Sequence, residues 1–390
     1  MAAHSISTPG SNAERSRLYN RGLVLRHLRR AGSAGRAEIA RAVGLSIQAV
    51  SNIISDLLSD GWVQETGRRT GQRGQPPVTY AIRHAAGAAL GIEIRTDALL
   101  AAWIDLGGEV LHTERFQLRA SSPDCVLPLL RALPGRGDGA GIAADHVIGA
   151  GVVMPGPFGI TGVSGQATEL PGWGQIAADR EIARALDLPV TVENDANAAA
   201  MAEMVLGAAR DLETFACLYF GAGLGLGLVS GGSVNGGAFG NAGEIGHIPV
   251  HTADGPQPLE QVASRMALVA ALSRDGIHVE TVEDLAAIQA TRPPAYLRWL
   301  NAAGDALGTA IQILENLTDP QAILITGAMP EAILQDLVQA ITLPAHSVAN
   351  RPDRTHPRLI AGNAGRMAAT LGAAAHVVNT ALSPRLVATH

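Results

Sequence analysis

The residues best suited to bind a small polar ligand lie in the glycine-rich stretch from Phe215 to His247. Glycine recurs at positions 221, 223, 225 and 227, directly after the apolar run from Ala216 to Phe220, which predicts a buried strand. Alternate glycines remove the side chains from one face of the chain, so a ligand can approach the backbone closely. Glu244 and His247 end the stretch, and their carboxylate and imidazole can turn onto one ligand. A tight hairpin between core strands is the alternative explanation of the same glycines.

A second polar group, Asn194 and Asp195, lies about twenty residues upstream of this stretch. It follows the apolar run 188–192 and precedes an alanine-rich run, which predicts a strand-to-helix junction. Ligand-binding groups of α/β proteins often lie at such junctions. The alternative is that Asp195 only caps the helix, since Asp is a favoured N-cap residue.

Five motifs together resemble those of the ROK family, which comprises repressors, open reading frames and sugar kinases. The motifs are VMPGPFG at 153–159, LPGW at 170–173, ENDAN at 193–197, the glycine run at 221–227 and AGEIGH at 242–247. The resemblance implies an α/β body with a duplicated actin-like, ribonuclease H-like fold of the sugar-kinase type, in which two lobes face a cleft. It also implies a set of sugar-binding residues, namely Asn194, Asp195, Glu244, His247 and Glu260. Carboxylates accept hydrogen bonds from hydroxyls, and an amide both donates and accepts, so this set suits a polyol.

The phosphate-binding motifs of the family's kinases are only partly present. By position, Asp195 would be the catalytic base of a kinase. The second phosphate loop of a kinase would contain Gly221, Gly223 and Gly225. The kinases open the first lobe with Asp-x-Gly-Gly-Thr, whereas this chain has Glu93-Ile94-Arg95, whose side chains obstruct the contact between backbone and phosphate. Because Ala222 also replaces the usual threonine of the second loop, we expect that kinase activity has been lost and that ATP is not a cofactor.

No metal site is expected. The family has three zinc-binding cysteines where this chain has the segment 251–260, which contains none. His247 and His251 remain as two ligands, fewer than the roughly four that a structural zinc needs. The only cysteines, Cys125 and Cys217, lie in apolar surroundings, which is typical of a reducing cytosol. No signal peptide and no apolar run of roughly 18 residues is found, so we expect a cytoplasmic protein without a membrane partner.

Charge is distributed unevenly along the chain, and all 29 basic residues are arginines. Residues 1–86 contain 12 Arg and 5 acidic residues, a net charge of +7. Residues 87–390 contain 17 Arg and 30 acidic residues, a net charge of −13, so that the whole chain carries −6. A basic segment on an acidic body predicts a polyanionic partner for that segment alone.

The N-terminal segment has the pattern of a winged helix-turn-helix. Apolar residues at helical spacing predict a helix over 16–30, and a glycine break precedes Ser46, which is placed to cap a helix over 47–60. Side chains on the outer face near the start of that helix can read base edges in a major groove. An arginine-rich hairpin predicts a wing that contacts phosphates or a minor groove. The predicted DNA-binding residues are Ser46, Gln48, Ser51, Asn52, Arg68, Arg69 and Arg73.

The assignment of the N-terminal segment to DNA binding has one alternative and one departure from the family's pattern. A helical protein-interaction module with a solvated arginine face is the alternative, but the sign of the charge and the helix pattern both favour DNA. The repressors of the family usually have Arg-Gly-Arg-Pro in the wing, whereas this chain has Arg73-Gly74-Gln75-Pro76. Arg73 remains available for a minor groove, and the missing second arginine predicts weaker binding or a weaker A·T preference.

The predicted organisation has four parts: a disordered tail over 1–15, the winged helix-turn-helix over 16–86, a first lobe over 87–205 completed by a C-terminal helix over 372–390, and a second lobe over 206–371. The resemblance implies a sugar-responsive transcriptional regulator, a repressor, that binds operator DNA as a homodimer or homotetramer. One alternative is an ATP-dependent sugar kinase with an added DNA-binding head. Another is a regulator whose cleft has lost its ligand and responds to a protein partner.

Overall fold

The computed structural model describes residues 10–68, 78–156, 170–252 and 255–383. A head precedes a two-lobed body. The elements of the head are α1 (Gly10–Ala31), β1 (Ala34–Gly35), α2 (Arg36–Val43), α3 (Ile47–Ser59), β2 (Val63–Arg68) and β3 (Val78–Ile82). The three strands form an antiparallel sheet in the order β1-β3-β2. This arrangement confirms the predicted winged helix-turn-helix fold.

The turn between α2 and α3 depends on two local features. Gly44 ends α2 with a φ of 70°, a left-handed conformation that glycine adopts without steric cost. Ser46 then accepts a hydrogen bond from the backbone nitrogen of Ala49 at 3.1 Å and caps α3. The apolar face of α3, which includes Val50, Ile54 and Leu57, is fully buried. Only the outer face of α3 is therefore available to contact a binding partner.

The first helix is longer than the sequence pattern predicts. It begins at Gly10 rather than at Ser16, so residues 10–15 of the expected tail are helical. Ala13, Glu14 and Arg15 are good helix formers, which extends the helix toward the N-terminus although no apolar residue marks the extension.

Two sheets of identical topology form the body. The strands of the first lobe are β4 (Ala88–Ile94), β5 (Ala98–Asp105), β6 (Val110–Gln117), β7 (Val147–Val153) and β8 (Val190–Glu193), in the order β6-β5-β4-β7-β8. The sheet of the second lobe has the order β11-β10-β9-β14-β15. Its strands are β9 (Phe215–Phe220), β10 (Leu224–Ser230), β11 (Ser233–Val234), β14 (Ile323–Gly327) and β15 (Leu359–Ala361).

In each sheet the first three strands are antiparallel and the last two run parallel to the first. This repeat is the duplicated ribonuclease H-like fold that the resemblance implies. A separate hairpin, β12 (Pro249–Thr252) and β13 (Gly255–Pro258), lies in the second lobe.

Nine further helices are described in the body. They are α4 (Pro123–Ala132), α5 (Ala178–Leu186), α6 (Asp195–Val205), α7 (Leu259–Val262), α8 (Arg265–Arg274), α9 (Val282–Thr291), α10 (Pro294–Thr318), α11 (Glu331–Ala340) and α12 (Ala368–Leu382). α4 and α5 cover one face of the first sheet and α12 covers the other, so every residue of β4 and β5 is buried. α10 contributes the largest share of the core of the second lobe.

Helices α6 and α12 pack directly on each other and tie the two lobes together. α6 leaves the first sheet and packs on β9 and β10 of the second, while α12 follows the second sheet and packs back on β4 and β7. Their contact is unusually close: a Cβ on Gly372 would overlap the carbonyl oxygen of Ala198. Gly91 and Gly151 in the first sheet likewise lie directly under the backbone of α12. Glycine at these positions permits backbone-to-backbone packing that a methyl group would prevent.

The C-terminal helix α12 begins at Ala368, four residues before the expected start at 372. Residues 362–367 are not helical, because Gly362 and Gly365 lie there and Glu203 holds the loop. The Glu203 carboxylate accepts hydrogen bonds from the backbone nitrogens of Asn363 and Ala364 at 3.2 and 3.0 Å. α12 itself ends at Leu382, and residues 384–390 of the expected C-terminal helix lie outside the described residues.

In the described ranges, no single helix has the length and apolar composition to cross a membrane. α2 and α3 satisfy that test only when they are counted together, across a bend of 115°.

Substitution of Gly372 by Ala tests the contact between α6 and α12. The added methyl group would overlap a backbone atom that cannot rotate away, so we expect the free energy of unfolding to fall by about 1–3 kcal/mol. Gly139→Ala is the matched control, since a Cβ there meets no atom within 4 Å. Chemical denaturation measures both; equal midpoints for the two variants would contradict the packing described.

Candidate functional site

The junction between β8 and α6 positions Asn194 and Asp195 at the boundary of the two lobes. Asn194 is buried and caps α6, because its Oδ1 accepts a hydrogen bond from the backbone nitrogen of Asn197 at 2.7 Å. The cap is thus Asn194, not Asp195 as the alternative explanation required. Asp195 lies in the first turn, and its Oδ1 accepts from the backbone nitrogen of Ala196 at 2.9 Å. Its other oxygen, Oδ2, lies near the turn after β9.

The pKa of the Asp195 carboxyl is raised from 3.8 to about 6. Burial is the largest cause, and the negative charge of Glu93 is the next. Glu244 raises this pKa further, while the hydrogen bond from Ala196 lowers it. A carboxyl with a pKa near neutrality can accept a proton from a ligand hydroxyl or share one with it.

Glu244, His247 and Glu260 form one cluster in the second lobe. His247 bridges the two carboxylates, with Nε2 at 3.5 Å from Oε2 of Glu244 and Nδ1 at 3.7 Å from Oε1 of Glu260. Burial raises the pKa of Glu244, with Glu260 acting in the same direction and His247 in the opposite one. The cluster therefore presents acceptor oxygens and an imidazole within one small space, as a polyol requires.

The glycine turn between β9 and β10 brings the two groups together. A Cβ on Gly221 would lie 3.0 Å from Oδ2 of Asp195, and one on Gly223 would lie 2.7 Å from Oε2 of Glu260. Gly156, the first glycine of the VMPGPFG motif in the first lobe, lies beside Glu244 and Asn194. All five residues predicted to bind sugar thus surround one site at the junction of the lobes.

The other alternate glycines have a different role from the one expected. β9 and β10 do form a tight antiparallel hairpin, with Leu224 paired to Phe220. A Cβ on Gly225 would lie 2.7 Å from the Cβ of Ala196, and one on Gly227 would lie 2.5 Å from the carbonyl oxygen of Ala196. Glycine at 225, a residue of the predicted phosphate loop, allows α6 to pack against β10. The tight hairpin is therefore confirmed, and the approach of a ligand to the glycine run stays a prediction.

Glu93 and Arg95 form a pair at the position of the family's first phosphate loop. The Nε of Arg95 donates to Oε1 of Glu93 at 2.6 Å, and the hydroxyl of Thr370 in α12 donates to Oε2 at 2.6 Å. Ile94 does not obstruct this region as expected, because its side chain points into the hydrophobic core of the first lobe. Arg95 is the residue whose side chain lies on the site's side of the strand, beside Glu93.

Sequence reasoning missed two neighbours of this region. Tyr219 is buried at the end of β9, and burial together with the charges of Glu93 and Asp195 raises its pKa. Arg265 at the start of α8 has a lowered pKa because of burial and the nearby charge of Arg95. In the sequence, Tyr219 is recognisable only as a member of the apolar run that predicts a strand. No sequence signal distinguishes Arg265 from the other arginines.

The predicted DNA-reading side chains lie at the exposed start of α3. Gln48 and Asn52 are exposed and joined by a hydrogen bond of 3.0 Å from Nε2 to Oδ1, while Ser51 is half-buried. Ile47, which the sequence analysis did not single out, is 59% exposed at the same end. A large apolar side chain beside two amides suits a thymine methyl next to base-edge hydrogen bonds. Of the predicted wing arginines, Arg68 ends β2, and Arg69 and Arg73 lie outside the described residues.

The segment 251–260, which replaces the family's zinc-binding cysteines, begins within the hairpin of β12 and β13. The hydroxyl of Thr252 donates to the carbonyl oxygen of Gly255 at 2.8 Å, so ordinary hairpin contacts hold it. Cys125 is exposed on α4 and Cys217 is buried in β9, so neither cysteine belongs to the hairpin. The side chains present do not supply the thiolate donors of a structural zinc site.

Comparisons with known proteins agree with both parts of the structure. The family model described as "ROK family" matches residues 89–380, and one described as "Winged helix-turn-helix DNA-binding" matches residues 17–64. The xylose repressor of Bacillus spizizenii is 25% identical over 80% of this chain and 83% of its own length. A solved ROK family transcriptional regulator, described as a homolog of the E. coli MLC protein, covers 94% of this chain and 97% of its own, with 26% identity and a TM-score of 0.74.

The body also resembles enzymes. A ROK family glucokinase from Streptomyces griseus, solved in complex with glucose and AMPPNP, is 25% identical with a TM-score of 0.57. It covers 74% of this chain and 98% of its own length.

The raised pKa of Asp195 predicts a pH-dependent stability. The folded protein binds this proton more tightly than the unfolded chain, so the free energy of unfolding falls as pH rises from about 4 to 6. Asp195→Asn removes the buried charge, and we expect it to be more stable than the wild type by about 1–3 kcal/mol at pH 7.5. The difference in the free energy of unfolding between Asp195→Asn and the wild type should become smaller as pH falls through 6 toward 4.5.

Denaturation curves at several pH values measure this difference. Asp124→Asn, in the exposed first turn of α4, is the control and should show no such gain. An Asp195→Asn variant that is less stable than the wild type at pH 7.5 would contradict the electrostatic account of the site.

Proposed function

This chain belongs to the ROK family, and we propose that it is a sugar-responsive DNA-binding transcriptional regulator of that family, acting as a repressor. The observation that carries the proposal is the joint presence of a winged helix-turn-helix head and an intact five-residue polar cluster between the lobes. The head would bind operator DNA, and the cluster would bind a sugar or a sugar derivative. The xylose repressor supports this class of effector by its name, without fixing which sugar binds here.

The roles of the cluster follow from its geometry. Asp195, Glu244 and Glu260 supply oxygens that accept hydrogen bonds from sugar hydroxyls. His247, held between two carboxylates, donates or accepts according to its protonation state. Because Oδ1 of Asn194 is engaged in the helix cap, its amide nitrogen is the atom that would meet the ligand.

Sugar binding can change DNA affinity only if the sugar binds two arrangements of the protein with different affinities. The five residues come from both lobes, so a ligand that contacts all of them favours the arrangement in which the lobes are closest. We infer that this closure is the change transmitted to the head. A homodimer or homotetramer in the cytoplasm would present two heads to a palindromic operator.

Loss of kinase activity is part of the same proposal. Glu93 stands where the family's kinases have Asp, and the long side chain of Arg95, paired with Glu93, stands where they need a glycine for the backbone to approach a phosphate. Ala222 offers no hydroxyl to a phosphate. Asp195 retains the position and pKa of a catalytic base, which is the observation that favours the kinase alternative.

A band-shift titration on the DNA upstream of the protein's own gene tests the regulatory function. We expect a specific shift that one member of a panel of pentoses, hexoses and N-acetylated amino sugars reverses. Glu244→Gln should raise the sugar concentration needed by about 10- to 100-fold, since it replaces a charged hydrogen-bond acceptor, and should leave sugar-free DNA binding unchanged. Asn52→Ala should relax the preference for the operator over random DNA.

Glu181→Gln, on the exposed surface of α5, is the control for the sugar response. Two results together would refute a sugar effector and favour control by a protein partner. They are a band shift that no sugar alters and a melting temperature that no sugar changes. Equal affinity of the protein for every upstream fragment and for random DNA would refute the proposed regulatory function.

A coupled assay with ATP and the same sugars tests the loss of catalysis. We expect the wild type to show no turnover above that of Asp195→Asn. Sugar-dependent ADP formation that Asp195→Asn abolishes would establish the kinase alternative instead.

A further inference from the structure

A second cavity lies between the head and the body, away from the sugar site. It has a volume of about 620 Å³. The C-terminal half of α1 lines one side, and the loop after α6 lines the opposite side. The turn between β5 and β6 and the end of α12, through Asn379 and Ser383, complete the wall. A cavity of this size is typical of sites for small molecules.

Arginines dominate the charge of the cavity. Arg26, Arg29 and Arg30 of α1 and Arg210 of the loop line it, against two carboxylates, Asp211 and Glu213. These six side chains carry four positive and two negative charges, a net of +2. Glu213 is shared, since it accepts from Nη2 of Arg26 at 3.1 Å and from Nη1 of Arg30 at 2.5 Å. One carboxylate therefore balances two guanidinium groups, and positive charge is left over.

Arg29 is the least compensated of these residues. Its Nη1 is buried and has no hydrogen-bond partner among the residues that the structure describes. Burial and the charges of Arg26 and Arg30 lower its pKa from 12.5 to about 10. It remains protonated at neutral pH, so a buried cation faces like charges with an unused donor. Such a group is costly unless an anion accompanies it.

The cavity is also connected to the sugar site through α6. The first turn of this helix carries Asp195, and its last residues, Met204 and Val205, line the cavity. Eleven residues of α-helix span about 16 Å, so the two sites lie at opposite ends of one rigid element. On the other side, α1 belongs to the head, and Arg26 and Arg30 reach across to Glu213 of the body.

We propose that this cavity is a binding site for a small anion of charge −2 or more, such as a phosphate ester or a diphosphate. Guanidinium groups bind phosphate oxygens bidentately, and Arg26, Arg29 and Arg210 all line this one cavity. Duplex DNA is not the ligand, because a cavity of about 620 Å³ between α1 and the body is far smaller than a duplex. A bound anion would join α1 to the body and hold the head in its docked position.

Calorimetric titration of the full-length protein with pyrophosphate, at an ionic strength kept constant with NaCl, tests this site without DNA or sugar. We expect saturable binding by the wild type. Arg29→Gln should weaken it by about tenfold or more, because it removes a charged donor. Glu213→Gln should tighten it, because it removes the carboxylate that competes for Arg26 and Arg30. Arg184→Gln, on the outer surface of α5, should leave it unchanged.

The opposite signs of the two variants separate this cavity from any other anion site. Equal affinity in wild type, Arg29→Gln and Glu213→Gln would overturn the proposal, as would the absence of binding by the wild type. Binding that appears only when residues 384–390 are deleted would also overturn it, since the cavity would then belong to the C-terminal tail. None of these outcomes depends on whether the protein recognises an operator or a sugar.

Discussion

The body of this protein depends on one close contact between two helix backbones. α6 and α12 approach each other at Gly372 and Ala198, and α12 in turn lies directly on Gly91 and Gly151 of the first sheet. Glycine and alanine at these positions leave room for backbone contact, so the helices that join the lobes act as a single layer. Asp195 is attached to this layer through α6, and Glu93, whose charge raises the pKa of Asp195, is attached through Thr370 of α12. The packing therefore determines how close these two carboxylates lie.

The sugar site is assembled at an electrostatic cost. Asp195, Glu93, Glu244 and Glu260 are four carboxylates in one region, and His247, Arg95 and hydrogen bonds offset part of their repulsion. A site of this kind is not arranged for maximum stability. The site has more hydrogen-bond acceptors than donors, and a ligand rich in hydroxyl groups supplies the missing donors. The same cluster of carboxylates therefore destabilises the empty site and suits it to a polyol.

Much of this architecture could be predicted from local patterns. The cap at Ser46, the buried face of α3 and the strands from Ala88 to Ile94 and from Val147 to Val153 follow from residue types within a few positions of each other. The family and the five residues predicted to bind sugar could be named because their motifs are contiguous. Whether those residues contact a sugar stays a prediction.

What could not be predicted depends on contacts distant in sequence. The use of Gly225 to admit α6, the bond from Thr370 to Glu93 and the inward direction of Ile94 become visible only when the strands and helices are assembled. The cavity beneath α1 is a further case, since its arginines come from two domains and look like ordinary surface residues in the sequence. The start of α1 at Gly10 was missed because helix propensity without apolar periodicity gives little signal.

The position of Gly372 gives α12 the geometry of a lever. The close contact with Ala198 lies near the start of the helix, beside Thr370, whereas Asn379 and Ser383 at the far end line the cavity below the head. About ten residues, or roughly 15 Å, separate the pivot from that end. A rotation of only about 5° at the pivot would displace the far end by about 1.3 Å. An angular change of this size would thus become a translation comparable to a bond length beneath the winged helix-turn-helix head.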